Sequence, residues 1–456
     1  MVDELADQPS AEELRVWDSQ IVWHAFTQMA EYRPFIVERA EGCTLIDVEG
    51  KRYLDAVSSL WCNTHGHQHP RISQAIRDQL DRVAHVTSLG MSNTTSIRLA
   101  RRLEQVSPPG LQHVFFSSDG SSAVEVALKL AFQYWQQRES PQPQRRKYIA
   151  FSNAYHGDTL GSASVGGIAR FHELFAPLLF DVVRLPLPSL VHRPRTMTPE
   201  QAREEYLRQA AQALGENQGE VAAIIIEPMV HGAAGMITQP PGYLRGLRDL
   251  ATEHDVFLIA DEVAVGFGRT GKLFACEHEQ ISPDFLCLGK GLTGGYLPMA
   301  ATLTTHRVWQ AFLGDYAEGK VFCHGHTYSG NPLSAAAALA TLELFEEEQT
   351  LEQLEPKIAR LQEHLQRIES HPHVASCRQL GFLAGIELAR DPESDVPYDF
   401  AERRGQRVCD HALTEGVWAR PLGNVVVIMP PLTIALDELD QICLAIERGI
   451  EIATND

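Results

Sequence analysis

The chain has 456 residues, of which 44% are hydrophobic and 21% are charged, a balance typical of soluble globular proteins. Its length exceeds that of one average domain, so we expect two or more lobes. The formal net charge of −20 argues against a nucleic-acid partner, because phosphate binding requires a basic surface.

The N-terminus and the cysteines indicate the cellular compartment. Residues 1–7 are acidic and lack an apolar core, so the sequence predicts no secretory signal. No apolar stretch approaches the roughly 20 residues that a membrane-spanning helix requires, so we expect no membrane partner. The eight cysteines include no Cys-x-x-Cys pair, which is typical of reduced thiols rather than of disulfides or zinc ligands. We therefore expect a soluble cytoplasmic protein.

The first structured segment is predicted to be a β-meander followed by a helix. Residues 35–54 contain two turn signals, Glu41-Gly42 and Glu49-Gly50, between short strand-like segments. A helix is predicted from Pro70, because proline favours the first helical position and an apolar stripe follows it. That stripe consists of Ile72, Ile76, Leu80 and Val83.

Between the meander and the helix, His65, His67 and His69 occupy alternate positions. The cluster invites a metal-site interpretation, but zinc requires three or four converging ligands. The sequence offers no further His or Cys cluster at a typical spacing. We therefore predict no metal site and interpret the segment as a histidine-bearing turn near the active site.

An anion site is predicted where the next strand meets a helix. Residues 114–118 form an apolar strand, and the helix that follows begins near Gly120 and Ser121. Because the first N–H groups of a helix are unpaired and its dipole favours negative charge, we assign a phosphate to these two residues. Plain helix capping by serine remains an alternative. The helix presents an apolar face formed by Val124, Ala127, Leu128, Ala131 and Trp135.

The middle of the chain alternates strands and helices. Residues 148–152 form a strand, and the aromatic ring of Tyr155 behind it could stack on a flat cofactor. Residues 221–226 form a buried strand, and the helix at 241–255 crosses over to the next strand, which makes a βαβ unit. The later elements are a strand at 299–304, helices at 333–348 and 351–370, strands near 382–388, 417–420 and 425–429, and a helix at 436–453.

Two apolar runs in the centre each end on a charged residue. Residues 256–260 lead to Asp261, and residues 284–289 lead to Lys290. Two parallel strands would deliver both residues to the carboxyl edge of a sheet, where open α/β sheets bind ligands. A carboxylate and an amine at that edge suit pyridoxal phosphate, since the lysine attaches the cofactor and the carboxylate keeps its pyridine nitrogen protonated. An ordinary salt bridge is the alternative.

Residues 266–271 fit the Gly-x-Gly-x-x-Gly pattern of dinucleotide sites. That pattern must open a helix directly after its strand. Here residues 263–265 intervene, and residues 272–276 show no helical pattern. The sequence therefore argues against a nicotinamide cofactor.

Three ordered segments resemble the signature of the class III aminotransferases: Asp261-Glu262-Val263, residues 266–271 and residues 288–295. The resemblance implies an α/β protein of fold-type I that binds pyridoxal phosphate. Its large domain would contain a mostly parallel sheet, and its small α+β domain would use both chain ends. We expect residues 1–85 to contribute to the small domain, residues 86–340 to form the large cofactor-binding domain, and residues 341–456 to form the C-terminal small domain.

The resemblance also implies roles for individual residues. Lys290 would be the catalytic residue and would carry the cofactor, while Asp261 would bind the pyridine nitrogen. Tyr155 would lie at both cofactor and substrate. Thr327 would reach across a homodimer interface to the phosphate of the partner's cofactor. His326 would also bind the cofactor, and Gly325 would lie at the substrate.

Further segments resemble the class III members of biotin synthesis. They are residues 23–29, 58–61, 120–129, 270–277 and 420–424. This resemblance implies that 8-amino-7-oxononanoate is the amino acceptor and S-adenosylmethionine the donor. Arg420 would bind the acceptor carboxylate, although a surface charge between strands remains an alternative.

The resemblance further implies that Phe26, Leu60 and Trp61 contact substrate. Phe26 stands where many members have tyrosine, and Leu60 where many have tryptophan. These two departures leave pyridoxal chemistry intact but bear on the donor. Lysine as donor, or another ω-amine substrate, therefore stays an alternative.

Overall fold

The computed structural model describes residues 9–394 and 396–455. The helices are α1 (Ala11–Ile21), α2 (Ser58–Trp61), α3 (Pro70–Leu80), α4 (Thr94–Val106), α5 (Gly120–Gln137), α6 (Leu160–Val165), α7 (Ala169–His172), α8 (Pro199–Glu216), α9 (Tyr243–Glu253), α10 (His306–Gln310), α11 (Pro332–Glu347), α12 (Thr350–Ile368), α13 (Arg404–Thr414) and α14 (Leu436–Thr454). Short 3₁₀ segments lie at Met29–Glu31, Glu173–Leu178, Ala275–Glu279, Lys290–Thr293, Tyr316–Glu318 and Phe400–Glu402.

The strands are β1 (Val37–Glu41), β2 (Thr44–Asp47), β3 (Arg52–Asp55), β4 (Leu111–Ser117), β5 (Lys147–Phe151), β6 (Val183–Leu185), β7 (Val221–Ile226), β8 (Val230–His231), β9 (Ile237–Thr238), β10 (Phe257–Asp261), β11 (Phe285–Leu288), β12 (Ala300–Thr305), β13 (Val374–Leu380), β14 (Leu383–Asp391), β15 (Val396–Pro397), β16 (Val417–Trp418), β17 (Arg420–Leu422) and β18 (Val425–Ile428). Among the described residues, no helix combines the length and the apolar character needed to cross a bilayer.

A seven-stranded sheet forms the centre of the molecule, in the order β4-β12-β11-β10-β7-β5-β6. β10 pairs in parallel with both β7 and β11, and β5 pairs in parallel with β7 and β6. β12 runs antiparallel to both of its neighbours. The expected mostly parallel sheet is confirmed, and β7 and β10 are buried along their whole length, as strands covered on both faces must be.

Successive residues of the central strands face opposite sides of the sheet, as the two-residue strand period requires. Phe257 and Ile259 pack in the cluster that contains Trp135 of α5. Leu258 belongs instead to the cluster that contains Leu247 of α9. Burial of each large apolar side chain contributes about 1.5–3 kcal/mol, so both faces of the sheet stabilise its position.

Strands from the two ends of the chain share one sheet. β3 pairs in parallel with β16 through Leu54–Val417 and Asp55–Trp418, in a sheet ordered β1-β2-β3-β16. A further sheet follows the order β13-β14-β18-β17, with β15 paired to β14. The mixed small part predicted from both chain ends is therefore present. The domain boundaries at residues 85 and 340 stay predictions, and the expectation for residues 1–7 concerns a segment outside the described residues.

The stripe predicted for α3 is wrong at its C-terminal end. Leu80 is 58% exposed, whereas Gln79 is buried. The Gln79 amide oxygen accepts a hydrogen bond from the Thr95 hydroxyl, 2.6 Å away, and its nitrogen donates to the Val83 carbonyl. Both polar atoms of the Gln79 side chain are thus hydrogen-bonded. Gln79 can therefore lie on the buried face of α3, where Leu80 was predicted.

Candidate active site

Three neighbouring parallel strands each deliver a charged residue to the same edge of the sheet. β10 ends on Asp261, which lies beside Cys287 of β11, and Lys290 follows β11. β7 lies on the other side of β10 and is followed by Glu227. All three charged side chains are buried or nearly so. The structure therefore brings together the predicted pair Asp261 and Lys290 and adds Glu227.

Lys290 lies in a strained and enclosed position. Its backbone has a φ of 40°, in the left-handed region, and its Nζ lies 5.2 Å from the centre of the Trp61 ring. Burial lowers the pKa of its amine, and the negative charges of Asp261 and Glu227 oppose that shift. A lysine whose pKa is lowered supplies more neutral amine, which is the nucleophilic and basic form.

His156 is an unpredicted partner of Asp261. Its Nδ1 lies 2.7 Å from Oδ2 of Asp261, while the Val263 N–H donates to Oδ1 over 3.1 Å. The other ring nitrogen of His156, Nε2, is buried and has no hydrogen-bond partner among the described residues. Since His156 directly follows Tyr155, its closeness to a strand end was the sequence signal that could have identified it.

Glu227 is the second residue that the sequence interpretation left without a role. Its carboxylate accepts hydrogen bonds from the N–H groups of Gly232 and Tyr155, at 2.9 and 3.2 Å. Burial would raise the pKa of Glu227, but His231, 3.5 Å away, and the Gly232 N–H help to lower it overall. A carboxylate therefore persists inside the site. The position of Glu227 directly after the apolar run at residues 221–226 was the sequence signal that could have identified it.

The turn before α5 has the geometry of an anion site. Asp119 caps the helix, since its carboxylate accepts from the Ser122 N–H over 2.9 Å, so the alternative of serine capping is wrong. A Cβ on Gly120 would lie 2.5 Å from Cγ1 of Val263, so only glycine fits. A Cβ on Gly289 would lie 3.3 Å from the Gly120 Cα, which places this turn directly beside the residue that precedes Lys290.

Ser121 faces the loop that carries Tyr155. Its Oγ lies 2.8 Å from the Thr159 hydroxyl and accepts from the Thr159 N–H. The Tyr155 hydroxyl donates to Asp158 over 2.6 Å. Burial raises the pKa of Tyr155, and the hydrogen bond to Asp158 raises it further, so the phenol remains protonated at neutral pH.

Trp61 reaches Lys290 through a strained turn. Ser58, Ser59 and Trp61 have φ angles of 52°, 63° and 64°, a conformation that costs about 1–3 kcal/mol per non-glycine residue. The Asp55 carboxylate holds the turn by accepting from the N–H groups of Val57 and Ser59, at 3.1 and 2.6 Å. Trp61 is thereby buried, whereas its neighbour Leu60 remains 49% exposed.

Among the described residues, no hydrogen bond or ring contact joins the other predicted site residues to Lys290. His326 approaches the turn before α5, with its Nδ1 3.1 Å from the Ser118 Oγ, while Gly325 and Thr327 are exposed. Arg420 is exposed on β17. Across residues 9–394 and 396–455, the Arg420 and Thr327 side chains form no hydrogen bond or ion pair with another residue. Phe26 is 59% exposed and contacts Phe171 edge-on.

The dinucleotide-like segment has a structural role. Residues 266–271 form consecutive turns without opening a helix. The buried Arg269 donates to the carbonyl oxygens of Pro430 and Asn63, at 2.6 and 2.9 Å. The guanidinium thereby ties together the turn before α3 and the segment after β18.

The histidines before α3 also have protein partners. His65 lies between the Thr64 and Thr350 hydroxyls, at 2.9 and 3.1 Å. His69 Nε2 lies 3.1 Å from a Glu348 carboxylate oxygen. These contacts give the rings a role in packing the turn against α11 and α12.

The donor set fits pyridoxal phosphate. Lys290 offers a buried amine, Asp261 a buried carboxylate, and the turn at Gly120 and Ser121 unpaired N–H groups at a helix N-terminus. The buried and unpartnered Nε2 of His156 adds a polar atom that a bound group could satisfy. Amine, carboxylate and phosphate cradle are adjacent, as one flat phosphorylated cofactor requires.

Comparisons with known proteins agree with this chemistry. The profile of the family described as Aminotransferase class-III matches residues 27–450. An adenosylmethionine-8-amino-7-oxononanoate aminotransferase from Nitratidesulfovibrio vulgaris is 52% identical over 446 residues, which cover 97% of this chain and 82% of that protein. The crystal structure of the enzyme of that name from Methanocaldococcus jannaschii has a TM-score of 0.91 at 44% identity, covering 96% of this chain and 98% of the other.

A more distant solved structure shares the fold. The ω-transaminase from Pseudomonas jessenii, solved in complex with PMP, has a TM-score of 0.92 at 30% identity. The likeness covers 97% of this chain and 98% of the transaminase.

Proposed function

Because this chain belongs to the class-III aminotransferases, we propose that it transfers the amino group of S-adenosylmethionine to 8-amino-7-oxononanoate, giving 7,8-diaminononanoate for biotin synthesis. The observation that supports this proposal most strongly is the 52% identity, over 97% of the chain, to an enzyme named for this reaction. The buried Lys290 beside Asp261 supports an active enzyme rather than an inert relative. We propose that the enzyme acts in the cytoplasm.

Pyridoxal phosphate is the cofactor, and the residues at the sheet edge would hold it. Lys290 would bind it covalently, Asp261 would hold the proton of its pyridine nitrogen, and Gly120 with Ser121 would take its phosphate. Tyr155 would lie at its ring and at the substrate. When bound, the cofactor supplies an electron sink for the substrate carbon that loses a proton.

Lys290 would also transfer the protons of the reaction. Its Nζ takes a proton from the amine-bearing carbon of the donor and returns one to the carbonyl carbon of the acceptor. Burial favours the neutral amine that this role requires. Trp61 lies beside Nζ and shields it from water.

Aromatic side chains at the site bear on the identity of the amino donor. S-adenosylmethionine carries a sulfonium cation, which gains about 0.5–2 kcal/mol from an aromatic face. Trp61 and Phe26 supply such faces, while Leu60 removes one that many relatives have. Lysine is also a cation. Because the exposed Leu60 offers no aromatic face to favour the sulfonium, lysine stays the second candidate donor.

The test of the function presents each donor separately to the cofactor-loaded enzyme. S-adenosylmethionine is expected to bleach the visible absorption band of the lysine-bound cofactor, and 8-amino-7-oxononanoate to restore it. Bleaching by lysine alone would overturn the choice of donor. Failure of 8-amino-7-oxononanoate to restore the band after any donor would overturn the choice of acceptor.

Arg420 is predicted to recognise the acceptor carboxylate. A bidentate guanidinium–carboxylate pair discriminates by charge and geometry, so Arg420→Ala should weaken use of 8-amino-7-oxononanoate by about 2–5 kcal/mol at most. A half-reaction with an amine donor that lacks a carboxylate should barely change. Arg101→Ala, at an exposed position on α4, is the matched control. An equal loss with every substrate would show that Arg420 acts on folding instead.

We also propose a homodimer with its active sites at the interface. Thr327 is exposed on its own chain and would serve the phosphate of the partner's cofactor. Sedimentation should therefore give twice the 50.7 kDa of one chain. Thr327→Ala should weaken cofactor retention, measured by absorbance after dialysis, while leaving the sedimentation unchanged. A fully active monomer would contradict the proposal.

A further inference from the structure

α7 contributes an aromatic ring, Phe171, that contacts both Phe26 and Tyr155. The Phe171 ring of α7 lies edge-on to Phe26, with centroids 5.1 Å apart and an interplanar angle of 63°. The same ring lies edge-on to Tyr155, at 6.0 Å and 85°. Phe171 is therefore the aromatic link between two residues that the proposed function places at the substrate.

The position of the Phe26 ring depends on its contact with Phe171, because burial does not hold the ring in place. Its side chain is 59% exposed, and its backbone lies in the left-handed region with a φ of 53°. A bulky residue in that conformation persists only where neighbouring contacts hold it. The edge-on contact with Phe171 is of the geometry that aromatic pairs prefer.

α7 itself is held from the C-terminal part of the chain. The Arg170 guanidinium carbon lies 3.6 Å from the centroid of the Phe400 ring. Three residues after Phe400, Arg403 forms an ion pair with Glu31 at 2.5 Å. These contacts connect three parts of the chain: the segment from Phe26 to Glu31, α7, and the 3₁₀ segment Phe400–Glu402 with the adjoining Arg403.

The charge beside this aromatic link favours a cation. Asp158 holds the Tyr155 hydroxyl and is half exposed, so its carboxylate can act on a ligand. His172 stacks on Tyr155 at 6.3 Å, and burial lowers its pKa, so it adds no positive charge near pH 7. Arg170 is occupied with Phe400. The cluster therefore suits a donor with net positive charge better than the acceptor, whose ammonium charge is balanced by its own carboxylate.

We propose that Phe171 is a positioning residue that sets donor specificity, by holding Phe26 and Tyr155 at the spacing that a cationic amino donor requires. This inference rests on the proposed function, in which those two residues contact substrate. Phe171 acts through the other rings and takes no part in proton transfer. An aromatic pair of this kind changes an equilibrium by roughly 2- to 12-fold.

The test is a double-substitution cycle with Phe26→Leu, Phe171→Leu and both together. Each single change should raise the S-adenosylmethionine concentration for half-maximal donor half-reaction by roughly 2- to 12-fold. The acceptor half-reaction should change less than the donor half-reaction in each variant. Because Phe171 acts partly through Phe26, Phe171→Leu should have a smaller effect in the Phe26→Leu background than in the wild type, so the double variant should show less than the product of the two effects.

Two further variants separate positioning from folding. Phe171→Tyr keeps the ring and should restore donor use, while Phe175→Leu changes a 48% exposed phenylalanine in the next segment and should have no effect. Multiplying effects in the cycle, or an equal rise for the acceptor, would overturn the inference. A wild-type enzyme that fails with S-adenosylmethionine would overturn the proposed donor, whereas a normal wild type with an unaffected Phe171→Leu would overturn this inference only.

Discussion

Replacing Lys290 by alanine is expected to abolish turnover and to remove the visible band of the covalently bound cofactor. The side chain provides both the attachment point and the base, and a positioned general base contributes roughly 10²–10⁴ in rate. No second lysine lies in contact with the buried Asp261 among the described residues. The activity loss should therefore reach at least about three orders of magnitude. Absorbance and steady-state turnover measure the two effects.

Lys272→Ala is the matched control for this prediction. Lys272 is exposed and directly follows the signature segment at residues 266–271, so its removal should change neither the spectrum nor the rate. The Lys290→Ala protein should keep the wild-type circular dichroism, because a buried amine is expensive to desolvate and its loss does not weaken the core. Near-normal turnover by Lys290→Ala would rule out its catalytic role.

The sheet edge was predictable because strand burial and charge placement are both local in sequence. Residues 221–226 and 257–261 are apolar runs, and each is followed or ended by a carboxylate, so their burial in adjacent parallel strands follows from composition. Lys290 follows a third such run, β11. The strand pairings then bring the charged ends together. This part of the site needs no information from distant residues.

The position of Trp61 could not be predicted in the same way. Three residues of its turn have positive φ without being glycine, and sequence pattern predicts that conformation only for glycine or asparagine. Hydrogen bonds from Val57 and Ser59 to Asp55 impose it, together with the bond from Ser58 to the Met429 carbonyl, 371 positions away. Long-range contacts therefore aim the ring at Lys290.

Two elements of the C-terminal part were missed for a related reason. β13 carries the polar sequence Val-Ala-Ser-Cys-Arg-Gln-Leu, and α13 begins with Arg404 rather than with an apolar stripe. Arg378 of β13 is buried because Glu387 of β14 pairs with it. Tertiary pairing of this kind lets charged residues occupy buried positions that hydrophobic periodicity does not reveal.

Asp261→Asn is expected to retain the cofactor but to slow the donor half-reaction. The carboxylate carries the charge that would hold a proton on the pyridine nitrogen, and an amide of the same size lacks it. A hydrogen bond to a charged group contributes about 1.5–3 kcal/mol, which corresponds to a slowing of roughly 10- to 150-fold. Rapid mixing with S-adenosylmethionine in a single turnover measures this rate without interference from product release.

Glu262→Gln is the control, because Glu262 is the adjacent buried carboxylate and serves the fold. It accepts hydrogen bonds from the Ala275 and Cys276 N–H groups, at 2.5 and 2.8 Å, and burial raises its pKa to about 7. Glutamine keeps only one acceptor oxygen for these two donors, so the melting temperature should fall. The half-reaction rate per folded enzyme should stay near wild type. Asp261→Asn should show the opposite pattern, a near-normal melting temperature with a slow half-reaction, and an unchanged single-turnover rate would remove Asp261 from its proposed role.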